Sequence, residues 1–328
     1  MAIERRPEGM SILQIGLASL VLFVIVVLLA WALGMKGLPN AAIAVPDRDP
    51  GSAIRDLALG DVRDTARVVQ LGQLDPKVDE SSGVAVSRRF PEVMWTHNDG
   101  GPGRVHAVRK DGTLVATVEV AGVEAEDWED IDLAACPEDG PGDRDCLYLG
   151  DIGDNGADRE EYAVDILPEP DPATETRVDL LRRVPFRYPD GSADAEALAV
   201  DPAGRVLVIT KGSDGAARLY RLSAAPDTSG AAAVRRAVLV GTLSLDVAAP
   251  RDRITGAAIS PDGTRLAVRN HHAVYLLSLD RPLGAPVVCE IGLQQPQGEA
   301  IDFLNARMVI LTSEQQGGRA PIVRLRCP

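Results

Sequence analysis

Five segments of this chain begin alike, and that recurrence limits its fold more than any other feature. They are SSGVAVS at 81–87, WEDIDLA at 128–134, AEALAVD at 195–201, ITGAAIS at 254–260 and GEAIDFL at 298–304. In each, a polar residue stands second and apolar residues follow two and four places on, the period of a strand with a buried face. A turn and a second apolar run come next, at 93–97, 147–151, 206–211, 266–270 and 308–313. Two further strands usually follow, as at 104–109 with 113–120 and at 273–279 with 287–293. Starts fall roughly 40–65 residues apart, the longer intervals carrying inserts.

Four strands per repeat predicts an all-β chain folded as a five-bladed β-propeller, each repeat one blade. The fifth repeat ends after three strands, at Cys327. The isolated strand at 66–74 is expected to supply the fourth and close the ring, which removes exposed sheet edges. A six-bladed alternative would hide its extra blade in a long insert such as 169–189, and a β-sandwich is the other architecture with this pattern. No stretch beyond residue 36 keeps a long helical period.

Aligning the five starts puts Ser82, Glu129, Glu196, Thr255 and Glu299 at one position. The first strand of a blade lines the central channel, so these residues are expected to ring one mouth. Three facing carboxylates repel. Either a shared cation, Ca²⁺ or Mg²⁺ by the preference for hard oxygen ligands, or protonation relieves them. The second strands run back to the same mouth and end in His97, Asn98 and Asp99, in Asp151, Asp154 and Asn155, in Lys211, in Asn270 and His271, and in Ser313 and Glu314. The three glutamates, Glu129, Glu196 and Glu299, are the residues expected to share that cation. Ser82, Asn98, Asp99, Asp154, Asn155, Thr255, Asn270 and Glu314 are expected to line the ligand face. His97 is the candidate base and Lys211 the candidate anion clamp, although Lys211 could simply neutralise the acidic ring. The stretch DIGDNGADREE from Asp151 fails as an EF-hand, because Gly153 takes the third position and the last Glu is out of register. Neighbouring His271 and His272 cannot both face the site on one strand. Trp128 reads as core. Nucleophile-elbow, HExxH and phosphate-loop motifs are absent from the sequence.

The N-terminus points to a location. Residues 12–33 are apolar except for Gln14 and Ser19, long enough to span a bilayer. Arg5 and Arg6 precede them and Lys36 alone follows closely, which puts the N-terminus in the cytoplasm. The expected organisation is a cytoplasmic tail at 1–11, a single-pass signal anchor at 12–34, a Pro/Gly linker at 35–55 and an extracytoplasmic propeller at 56–328. Cleavage near Ala42-Ile43-Ala44 is the rival reading. An even set of cysteines in an exported domain suggests disulfides, Cys136 with Cys146 around a short acidic loop and Cys289 with Cys327. A formal charge of −14 argues against nucleic acid as partner. The membrane and either an envelope protein or a small molecule remain as partners.

The run SSGVAVSRRFPEVMWTHNDGGPGRVHAVRKDG, with DWEDI and GDIGDN after it, resembles a group of exported bacterial propeller proteins, most of them uncharacterised. More distantly the layout is similar to phytase-like and lactonase-like calcium propellers. That likeness implies a cation at the channel mouth held by Glu129, Asp151, Glu196 and Glu299. Two functions stay open: a cation-containing binding or scaffold module of the cell envelope, and a calcium-dependent hydrolase of a phosphoester or lactone.

Overall fold

The computed structural model describes residues 67–327 apart from 224–233, 281–283, 293–294 and 296. The expected tail, anchor and linker lie outside the described residues. Among the described residues the regular structure is β-strand, with one short 3-10 turn at Pro250–Asp252. No described helix is long and apolar enough to cross a membrane.

The strands fall into consecutive antiparallel units. The first is β2 (Ser81–Val86), β3 (Val93–Asn98), β4 (Gly101–Arg109) and β5 (Leu114–Ala125). The second is β6 (Trp128–Ala135), β7 (Asp145–Asp151), β8 (Tyr162–Pro168) and β10 (Arg182–Arg187). The third is β11 (Ala195–Val200), β12 (Val206–Thr210), β13 (Arg218–Leu222) and β14 (Arg235–Thr242). The fourth is β15 (Gly256–Ile259), β16 (Arg265–Arg269), β17 (Ala273–Ser278) and β18 (Val287–Glu290). In the last, β19 (Gly298–Asn305), β20 (Met308–Ser313) and β21 (Pro321–Arg326) are completed by β1 (Val68–Gln73), which pairs antiparallel with β21. The strand read at 66–74 therefore does join the last repeat. The first strands pack on one another in cyclic order, β2 on β6, β6 on β11, β11 on β15, β15 on β19, and β19 back on β2.

The 169–189 insert does not build a further unit. Its β9 (Arg177–Asp179) adds parallel to β5, and its other strand is β10. Strand β10 also pairs parallel with β14, joining two units into one eight-stranded sheet.

The apolar pattern explains the packing. A strand buried on both faces reads as a continuous hydrophobic run, because alternate side chains leave in opposite directions. In β12, Val206 and Val208 pack toward Tyr148, Phe186 and Leu198, while Leu207 and Ile209 pack toward Leu266 and Val268. Such a layer lies at each junction between neighbours: Trp95 and Trp128 against Leu147, Leu276 against Phe303 and Leu325, and Met94 against Ile310 and Ile322. Disulfides join Cys136 to Cys146 across the β6–β7 hairpin, and Cys289 of β18 to Cys327 just past β21. Both expected pairings are present.

The first strands are sheet edges, so their outward N–H groups need other acceptors. Aspartates supply them. Asp130 accepts from the N–H of Leu198 at 2.9 Å, of Ala257 at 3.1 Å and of Ile131 at 2.9 Å. Asp132 accepts from Val200 N at 2.6 Å, and Asp302 from Val86 N at 2.6 Å. These carboxylates staple one unit to the next through the middle of the ring.

Candidate metal centre

Bulges at the strand starts aim the site residues. Pairing skips a residue between Trp128 and Asp130 in β6, between Ala195 and Ala197 in β11, and between Ser81 and Gly83 in β2. The skipped residues are Glu129, Glu196 and Ser82, which the sequence alignment placed at one position. A bulge leaves its residue out of the ladder and redirects its side chain. In β19 the pairing is also irregular between Gly298 and Ile301, the stretch that holds Glu299.

Two of those residues converge with a third. One carboxylate oxygen each from Glu129, Asp194 and Glu196 lies within 4.8 Å of the others. Glu129 and Glu196 are buried and Asp194 partly so. No described hydrogen bond or ion pair reaches the Glu129 carboxylate. The Glu129 carboxyl is held well above the usual range, first by burial and then by Glu196 and Asp127 beside it. Burial, set against Lys211 and reinforced by Asp194, pushes Glu196 up to about 7. Gly153 makes the convergence possible. A Cβ there would fall 2.4 Å from the Asp127 carboxyl and 2.4 Å from Glu129 Oε1, so both carboxyls would have to move.

Lys211 is the counter-charge. Its Nζ donates to Glu196 Oε1 and, at 3.0 Å, to Asn155 Oδ1, and lies 3.6 Å from Asp194 Oδ2. It neutralises the acidic group rather than standing free as an anion clamp.

Other expected residues lie elsewhere. Asp151 does not join the cluster. Its two oxygens take Arg159 at 2.9 Å and Arg183 at 2.5 Å, so it ties β7 to flanking strands. Glu299 is buried beside Arg269 and lies 3.7 Å from His271 Nδ1. Thr255 donates to Gly298 O at 3.0 Å, which commits it to the backbone. Ser82 reaches Glu80 O at 3.5 Å. Asp154 accepts from Tyr162 Oη at 2.7 Å and from the N–H of Asp158 and Arg159, organising its own loop. Asn270 accepts from the N–H of His272 and Ala273, shaping the β16–β17 turn. His272 turns away to Asp252. Asn98 donates to Asp79 at 3.1 Å. Glu314 accepts from Gln297, and burial, then Asp99 and Glu80, lift it to about 7.

His97 is not placed to act as a base. It is fully buried, its Nδ1 meets Asn98 O at 3.1 Å, and its ring stands edge-on to Trp128 at 5.7 Å. Burial pulls its imidazole down to about 4.

Sequence reasoning missed Asp194 and Asp127. A signal was present: each lies two residues before its glutamate, as Asp127-Trp128-Glu129 and Asp194-Ala195-Glu196. It also missed Arg159, in the loop directly after Asp151, and the strand residues Arg183 and Arg269.

No protein-family model and no curated protein matches the chain. Among solved structures, the chain is similar to the PQQ-bound aldose sugar dehydrogenase of Streptomyces coelicolor, with TM-score 0.48 and 12% identity over 79% of this chain and 97% of that one. It is similar to the soluble aldose sugar dehydrogenase of Escherichia coli in its apo form, with TM-score 0.44 and 13% identity over 78% and 98%. A proposed 6-phosphogluconolactonase of Bacteroides uniformis gives TM-score 0.39 and 12% identity over 76% and 68%. Likeness at this level transfers no activity or cofactor to this chain.

Proposed function

We propose that the chain is a five-bladed β-propeller that holds a divalent cation, Ca²⁺ by its oxygen ligands, between Glu129, Asp194 and Glu196, and that this centre serves hydrolysis of a phosphoester or lactone. The observation that carries the reading is the convergence of those three carboxylates within 4.8 Å with Lys211 as their nearest counter-charge. Hard carboxylate oxygens without a full set of hydrogen-bond donors suit Ca²⁺. Glu129, Asp194 and Glu196 would hold the ion, with Asp127 adding charge from behind. A bound ion in such a centre polarises a substrate oxygen or lowers the pKa of water. Glu314, lifted to about 7 by burial and its acidic neighbours, fits a proton-transfer role. Lys211 holds Glu196 and Asp194 in place.

The second reading is a binding or scaffold module whose ion is structural. The withdrawal of His97 into the core favours it, since the expected base is absent from the mouth. Under either reading the domain is displayed outside the cytoplasm behind a single-pass anchor at 12–34. The two disulfides support export.

Calorimetry with Ca²⁺ on the full-length chain and on Glu129→Gln, Asp194→Asn and Glu196→Gln tests the centre. Each substitution should weaken binding at least tenfold. Absence of Ca²⁺ and Mg²⁺ binding to the unaltered chain would overturn it. With binding in hand, phosphoester and lactone turnover with and without chelator separates hydrolase from module.

A further inference from the structure

A cavity of about 540 Å³ opens against the first unit, and its lining differs from the acidic cluster. Lys77, Arg104 and His106 line it, together with Asn98, Thr117 and Asp79. The chain has a formal charge of −14, and two of its cations face this one cavity. Among the described residues, neither the Lys77 ammonium nor the Arg104 guanidinium has a hydrogen bond or ion pair. Arg88, Arg159, Arg177 and Arg183, by contrast, each meet a carboxylate.

His106 is the second observation. It is 6% exposed, yet it lines the cavity. Its Nδ1 is bonded to Thr117 Oγ1 at 3.0 Å, which leaves Nε2 as the free polar atom of the ring. In the tautomer protonated at Nε2, the Thr117 hydroxyl donates to Nδ1 and Nε2–H is free to donate to an acceptor in the cavity. Burial first, then Arg104, hold the imidazole below its ordinary range, with Lys77 adding to this and the acids Asp79 and Asp75 opposing it. Both cations thus lie within electrostatic reach of the ring. The Asp79 carboxylate also lines the cavity, and one of its oxygens accepts from the Asn98 amide at 3.1 Å.

We propose that this cavity binds a small oxyanion, a phosphate or carboxylate group, between the Lys77 ammonium, the Arg104 guanidinium and His106 Nε2. An Arg fork and a Lys point charge together suit either anion. A cavity of this volume admits a small molecule. The three residues come from the segment before β2 and from β4, so the site is separate from the acidic cluster on β6 and β11.

The full-length chain has four histidines, so histidine-selective imidazole NMR resolves His106, assigned with His106→Gln. The probes are inorganic phosphate and malonate, titrated against chloride at matched ionic strength. The His106 signal should move saturably with at least one probe and stay still with chloride, and which probe binds tighter decides between phosphate and carboxylate. The Lys77→Ala/Arg104→Ala variant, altered only at exposed side chains, should raise the apparent Kd at least tenfold. A shift no larger than with chloride, or one that persists unchanged in the double variant, overturns the site. Neither outcome depends on cation binding at Glu129, so the two proposals fail separately.

Discussion

Replacing Lys211 by methionine separates an ion-binding centre from an internally neutralised acidic cluster. Lys211 Nζ lies 3.6 Å from Asp194 Oδ2 and contacts Glu196 Oε1. An ion bound about 2.4 Å from each carboxylate oxygen would sit roughly 4–5 Å from that ammonium. Repulsion between charges of +2 and +1 at that distance is about 2 kcal/mol even with the dielectric of water, and several-fold more in the interior. Removing the ammonium should therefore tighten Ca²⁺ binding about 20-fold or better. The same substitution strips Glu196 of its Lys211 ion pair. The chelated protein should lose on the order of 3 kcal/mol, the scale for breaking a buried pair. Lys211→Met should thus melt lower in chelator, and Ca²⁺ should recover more stability for it than for the unaltered chain. Calorimetry and melting, each with and without chelator, read both effects. Affinity that is unchanged or weaker in Lys211→Met would refute the reasoning and leave Lys211 as a permanent structural counter-ion.

Other expectations follow from the same geometry. Gly153→Ala should abolish Ca²⁺ binding while leaving the far side of the ring folded, seen as lost calorimetric heat with disulfides intact, because its methyl would sit on the Asp127 and Glu129 carboxyls. Glu299→Gln should change Ca²⁺ affinity less than about threefold, against at least tenfold for Glu196→Gln, since Glu299 is outside the converging group. In chelator, stability should fall as pH rises from 4.5 through about 7. Glu196 and Glu314 bind their protons more tightly folded than unfolded, so the folded state loses that advantage as they ionise, and melting across pH 4.5–8 measures it. Removing the Cys289–Cys327 link should cost about 4 kcal/mol and the Cys136–Cys146 link about 3 kcal/mol on loop-closure grounds, read by denaturant melts of the Cys→Ser variants.

The repeating units were legible because strand periodicity is local. Alternation over a few residues, followed by a turn, marks each first and second strand, and the structure has them where the pattern puts them. The completion of the last unit by β1 was legible by counting, since the final repeat lacks a fourth strand. The pairing of β9 with β5 and of β10 with β14 was not, because parallel edge additions depend on which segments pass close in space.

The site divides the same way. Residue type and spacing put acids at the strand starts, and the bulges confirm that Glu129 and Glu196 are equivalent. Which acids meet was decided by the tertiary structure. Asp151 has the right type at the right strand end, yet Arg159 of the following loop and Arg183 of β10 take both its oxygens. His97 also stands at a strand end, but its ring turns inward onto Trp128. Lys77, Arg104 and His106 carry no shared motif and meet only because β4 folds back beside the segment leading into β2. By itself the sequence determined the first and second strands of each unit and the Cys136–Cys146 pairing, because these rest on local alternation and a short loop, with Cys289 and Cys327 left as the remaining pair. Only the tertiary structure chose the partner of each charge, because burial and Coulomb energy depend on distances across the ring, which local pattern does not encode.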